Sequence, residues 1–158
     1  MGFYSSYNNI IEKIQALLQA SVRTDLAAVA DADIILGDVR DPWAHTQSRI
    51  VFIGDVREGS APDLTFKKVA PQFDVPITIV TFEPPDNVRD TWRPTIALKI
   101  TGDIVDELLS NKNLTVASIR HADNVEFLRF QAVGGQDVTR VLSLVRAWFR
   151  ITTNYQPA

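Results

Sequence analysis

The residues able to do acid, base, metal or nucleophilic chemistry are few in this chain, and none is spaced for it. Its histidines are His45 and His121, and neither stands in a metal-ligating spacing such as His-Glu-x-x-His. His45 follows Asp38 and Asp41 in a loop-like stretch and His121 precedes Asp123, so both read as solvated turn positions. Cysteine is absent, which removes thiolate metal sites, disulfides and a Cys nucleophile. Asp103 and Asp106 lie three apart with Glu107 beside them, the pattern of a solvated helix face rather than of an acid/base pair. Gly134-Gly135 lacks the Lys-Ser/Thr or the further glycines of a phosphate-binding loop and reads as a hairpin turn. No Gly-x-Ser-x-Gly elbow or calcium-loop pattern occurs. The expectation is a protein that is not an enzyme and uses no metal or cofactor.

The side chains suited to binding are aromatic and arginine. Trp43 falls in Asp41-Pro42-Trp43-Ala44-His45, where so large a ring needs a tertiary or intersubunit surface to cover it. Trp92 precedes an apolar-periodic stretch on which it can pack, and Trp148 lies in the last apolar run. Core packing is the plain reading of all three. Arg supplies 11 of the 16 basic residues, and it is the cation best suited to bidentate interface contacts. If the run from Val138 to Thr152 is a strand, Arg140, Arg146, Trp148 and Arg150 share one of its faces. That face is either an ordinary solvated sheet surface or a surface for an acidic partner. The candidate interface residues are therefore Trp43, Arg57, Lys67, Lys68, Arg140, Arg146, Trp148 and Arg150. The formal charge of −3 and the sparse aromatic–basic interleaving argue against sequence-specific nucleic-acid binding.

The elements that must position these residues are legible from periodicity. Ile10, Ile11, Ile14, Leu17 and Leu18 predict an amphipathic helix of about four turns, with Ser5-Ser6 offering N-caps. Thr24-Asp25 can start a short turn through Leu26 to Val29. Ile34-Ile35-Leu36 and Ile50-Val51-Phe52-Ile53 predict short strands. Gly37-Asp38-Val39-Arg40 follows the first and Gly54-Asp55-Val56-Arg57 the second, which reads as two similar strand exits, with a shared binding role as the alternative. Residues 57–72 predict a long loop or hairpin arm.

Val75 to Phe82 alternates, with Val75, Ile77 and Ile79 opposite Thr78, Val80 and Phe82, as in a strand buried on both sides whose start lies at an edge because of Pro76. A second helix is predicted from near Thr91, with Pro94 in its first turn, an apolar face through Ala97, Ile100, Ile104, Val105, Leu108 and Leu109, and Asn111 or Asn113 as its stop. Strands are predicted over Leu114 to His121 and Val125 to Val133. The run from Val138 to Thr152 fits both a helical and an alternating template, and its Val, Trp, Phe, Ile and Thr content favours the strand.

At 158 residues, with 46% hydrophobic and 22% charged residues, the chain fits one globular domain spanning 1–158. No window reaches the roughly 20 apolar residues of a membrane-spanning helix, and no membrane partner is expected. The fold class expected is α+β: a mostly antiparallel mixed sheet with two amphipathic helices packed on one face.

This order of elements resembles the tail-terminator and related neck or tail-completion proteins of long-tailed bacteriophages. The resemblance rests on Ile10 to Leu18, Val75 to Val80, the helix ending Ile104-Val105-Asp106-Glu107-Leu108-Leu109, and the terminal Val141 to Thr152 strand. It implies a non-enzymatic virion protein, assembled in the host cytoplasm, that forms a homo-oligomeric ring, commonly hexameric. Such a ring caps the tail tube and meets neck or head-completion proteins. A monomeric or dimeric assembly adaptor or chaperone is the alternative.

Overall fold

A computed structural model describes residues 3–54, 64–67, 70–83, 94–136 and 139–152, with side chains described for 8–54, 72–83, 94–136 and 139–152. The described residues form the helices α1 (Phe3–Gln19), α2 (Thr24–Ala27) and α3 (Thr95–Ser110). They also form the strands β1 (Ile34–Leu36), β2 (Arg49–Ile53), β3 (Leu64–Lys67), β4 (Ala70–Glu83), β5 (Asn124–Gln136) and β6 (Val141–Thr152). The strands make one sheet in the order β1-β2-β4-β6-β5, with β3 pairing β4 beyond the end of β2. β1 and β2 are parallel and every other pair is antiparallel, so the fold is α+β with a mostly antiparallel mixed sheet.

Alternation along β4 dictates the layers. Phe73, Val75, Ile77 and Ile79 point to one side and are fully buried, together with Val145, Ala147, Phe149 and Ile151 of β6. Against them pack Ile10, Ile11, Ile14 and Leu18 of α1 and Ala97, Ile100, Ile104 and Leu108 of α3, placing both amphipathic helices on one face. Each of these branched side chains contributes about 1.5–3 kcal/mol when fully buried. The other side of β4 carries Thr78, Val80 and Phe82, and no helix among the described residues covers them.

Pro76 lies where β2 runs out. The Gly54 N–H donates to its carbonyl at 2.8 Å, and proline has no N–H to return the bond, so the β2–β4 ladder stops at the Ile53/Ile77 pair. β3 takes over as partner further toward the start of β4, from Phe73 to Ala70. The edge inferred from this proline is thus a local gap in an otherwise central strand. The described part of the stretch expected as a loop or arm at 57–72 is this β3–β4 pairing, and 57–63 and 68–69 lie outside the described residues.

Four local expectations are corrected. α1 already begins at Phe3, so Ser5 and Ser6 lie inside it rather than capping it. α3 starts at Thr95 with Pro94 at the N-cap rather than in the first turn. The segment from Leu114 to His121 is not a strand. Asn111 grips Thr115 through both amide atoms, the His121 and Ala122 N–H groups donate to the Asn113 carbonyl, and a tight turn joins Val116 to Ile119 with Ala117 and Ser118 at φ 51° and 66°. Among the described strands none pairs with this segment, so turn bonds win. Gly134-Gly135 is not a turn either: both glycines lie within β5, opposite Ser143 and Leu142.

The acidic face expected to be solvated on α3 is also spoken for. Asp103 Oδ2 accepts from the Asp25 and Leu26 N–H groups at 2.8 and 3.0 Å and so caps α2, which has no cap of its own. Glu107 accepts from Arg23 Nε at 2.9 Å and from the Ser21 hydroxyl at 3.1 Å. α2 spans four residues and cannot hold by itself, so this borrowed cap is what fixes it against α3. Replacing Asp103 by Ala should lower stability by about 1–2 kcal/mol in urea unfolding, with Asp103→Asn milder because an acceptor oxygen remains.

Candidate assembly surface

The helix-free face of the sheet is built from β1 and β2 outward. The parallel register sets Ile34 beside Val51, an offset of 17 residues (51 − 34), which equals the spacing of the two Gly-Asp-Val-Arg segments. Gly37 and Gly54 therefore leave the sheet side by side, both at positive φ (133° and 90°), where a side chain is strained. Gly37 N–H still donates to the Ile53 carbonyl at 2.9 Å. Gly37 and Gly54 are thus equivalent strand exits, Asp55 to Arg57 lie outside the described residues, and the first segment starts the loop that crosses the helix-free face.

That loop is anchored by Trp43. Asp41 accepts from the Trp43 N–H at 3.0 Å and begins a 3-10 turn over Pro42–Ala44. The indole then lies 6.0 Å from the Phe82 ring, and a Cβ built at Gly135 would meet its Cζ2 at 3.1 Å. The glycine inside β5 is thus where the ring approaches the backbone. Arg140 closes the arrangement. Its guanidinium lies 4.3 Å from the Phe82 centroid and 5.6 Å from that of Trp43, while donating to the Trp43 carbonyl at 2.8 Å and to the His45 carbonyl. Beneath the loop Ile50, Phe52, Val80, Phe82 and Leu142 form a second apolar cluster.

Further along β6 the same face carries ion pairs. Arg146 binds Asp38 at 2.6 Å and the Thr78 hydroxyl at 3.0 Å, tying the loop to the sheet centre. Arg150 makes a bidentate pair with Asp74 at 2.8 and 3.0 Å. That hydrogen bond, and then the charge of Asp74, hold Arg150 above its ordinary pKa. Arg129 of β5 stacks on Trp148 at 4.3 Å.

These positions decide what became of the candidate interface residues. Trp43 is a tertiary anchor, Arg140 its clamp, and Arg146 and Arg150 are half-buried partners of acidic residues within the chain. The row Arg140, Arg146, Trp148 and Arg150 does share one face, but its charge is engaged internally, in ion pairs for Arg146 and Arg150. Arg57, Lys68 and Trp92 lie outside the described residues, and Lys67 is placed only as part of β3.

The surface that sequence reasoning missed is the border strand β5. Among the described strands it pairs only with β6, and Leu128, Phe130 and Val133 along it are 38%, 52% and 47% exposed. Their apolar character was visible, but only the strand order reveals that they sit at a sheet border. The opposite border is different: Gln15 Nε2 donates to the Ile34 carbonyl of β1 at 2.8 Å, and Gln19 lies 3.5 Å from it.

For chemistry, the described residues offer little convergence. Among them no group of three or more His, Asp or Glu could hold a metal ion. An open groove of about 360 Å³ beside β1 is lined by Ile35, Leu36, Asp38, Arg40, His45 and Phe52, among others. His45 packs on Phe52 at 5.3 Å, and His121 faces the Asn9 amide at 3.4 Å, so both histidines are packed rather than freely solvated.

Two outcomes follow from this geometry. Arg140→Ala should cost about 2 kcal/mol and speed amide exchange across residues 41–48, with Arg140→Lys recovering only part because it cannot span both carbonyls and both rings. Burial, and then the charge of Lys13, lower the pKa of His121 below 6.5. As pH falls below that value the unfolded chain protonates first, so stability drops toward the folded-state pKa. Urea midpoints of His121→Gln should lack this part of the acid-side slope.

No protein-family model matches the sequence, and no curated protein matches it. Among solved structures, a chain of the structure described as "Virion of native gene transfer agent (GTA) particle" is similar at a TM-score of 0.62 and 14% identity. The match covers 96% of this chain and 99% of that one. The two share a fold along essentially their whole lengths.

Proposed function

We propose that this chain is a non-enzymatic structural protein of a phage-like virion, specifically a ring-forming tail terminator or neck component that caps the tail tube and joins it to the head-neck region. The observation that carries this reading is the likeness to a chain of a virion particle, which covers 96% of this chain and 99% of that one. A shared fold alone does not assign a role. The reading gains support from how this chain spends its functional groups: arginines bind acidic partners within the chain, Trp43 holds a loop, and the acids of α3 cap and pair. Side chains engaged this way serve shape, which is what a ring component contributes. On this reading its partners are further copies of itself, the tail tube, and neck or head-completion proteins, and its place is the virion.

An epitope-tagged chain expressed with the rest of its particle should sediment with intact particles in a density gradient, and gold-labelled antibody should decorate one end of the tail tube. A chain found only in the soluble fraction would overturn the virion reading. Label along the whole tube or over the head would overturn the terminator or neck assignment while leaving a virion role.

A further inference from the structure

Resting on that ring reading, we infer that the free edge of β5 is the joint between copies, extended by a strand of a second copy of this chain. β5 is 13 residues long, which spans about 40 Å, and among the described strands β6 alone pairs with it, on one side. A border of this length presents a row of unpaired N–H and C=O groups, and isolated proteins blunt such borders. This chain does so at β1, which is three residues long and has its Ile34 carbonyl occupied by Gln15. At β5 a bulge and the charges of Glu126 and Arg129 blunt only the first part of the edge, and residues 130–136 carry no charge, proline or bulge.

The side chains point to the class of partner. Phe130 stands opposite Ala147 and so projects on the helix side of the sheet, whereas Val133 stands opposite Leu144 and projects on the loop side. The bulge between Phe127 and Arg129 adds Leu128 between these registers. Exposed apolar groups on both faces of one edge suit an added strand, which flanks both faces at once. A helix or small ligand would cover one face. The edge carries Glu126 and Arg129 together, so it selects neither a strongly acidic nor a strongly basic partner and suits a chain of net charge −3.

A cyclic ring needs two different surfaces on each copy. The sheet supplies the second on the side of β4 away from β6, past the end of β2, where β3 pairs with β4 alone among the described strands. Joined this way, the sheet of one copy continues into the next.

Phe130→Arg and Val133→Arg replace half-exposed side chains and should leave the circular dichroism spectrum and thermal unfolding of the subunit unchanged. Sedimentation velocity should show each of them at least tenfold weaker in self-association than the natural chain. Val22→Arg, an equally apolar-to-charged change at a position 93% exposed on another part of the surface, should associate as the natural chain does. Because the chain has no cysteine, Gln131→Cys and Thr65→Cys copies report the joint directly: mixed, they should cross-link to each other under mild oxidation. Arginine variants that assemble as the natural chain does would overturn the β5 joint and leave the ring reading intact. Cross-links confined to Gln131→Cys with itself would overturn the β3 counterpart. A natural chain that stays monomeric would overturn pairing with a second copy, while gradient sedimentation with particles decides the virion reading separately.

Discussion

The central strand β4 must be covered on both faces, and most of the structure follows from how that is done. Its helix-side residues Val75, Ile77 and Ile79 need an apolar layer and receive one from α1 and α3. Its other side carries Val80 and Phe82, which no described helix reaches. The loop after β1 covers them instead, and a loop holds such a position only when its polar backbone finds partners. Arg140 supplies them by donating to two loop carbonyls while its flat guanidinium lies on Phe82. Asp38, reaching from the loop to Arg146, makes the second tie. One face is thus closed by hydrophobic area and the other by a cation held between rings and carbonyls.

Much of this was legible in the sequence. Period-two alternation in Val75 to Phe82 and period-3.6 spacing in Ile10 to Leu18 and Ala97 to Leu108 assign their elements because a single physical constraint, burial of one or both faces, sets the residue pattern. The ambiguous run at Val138 to Thr152 resolves as the strand its β-branched and aromatic content favoured, and its Arg-bearing face is where alternation puts it. The failures share a cause. Leu114 to His121 has strand-like residues but no partner among the described strands, and Gly134-Gly135 has turn-like residues but lies in a paired strand, with Gly135 against the Trp43 ring. Composition reports what a segment tolerates, whereas these two were decided by neighbours distant in sequence.

The same limit governs the site. Arg and Trp were singled out for their capacity to bind, and the described ones are turned inward toward Asp38, Asp74, Phe82 and Gly135 or onto one another. Leu128, Phe130 and Val133 passed as ordinary strand residues because exposure at a border is a property of strand order. The function proposed therefore rests on shape: a sheet covered on both faces, with Gln15 on the β1 border and half-exposed apolar residues along β5.

The solution mass of the purified chain, by light scattering across a concentration and salt series, tests this account most directly. It predicts a discrete oligomer larger than a dimer, of constant mass once formed and persisting in high salt because the joint is made of backbone bonds and apolar side chains. A strict monomer or dimer at every concentration would contradict a self-assembling ring.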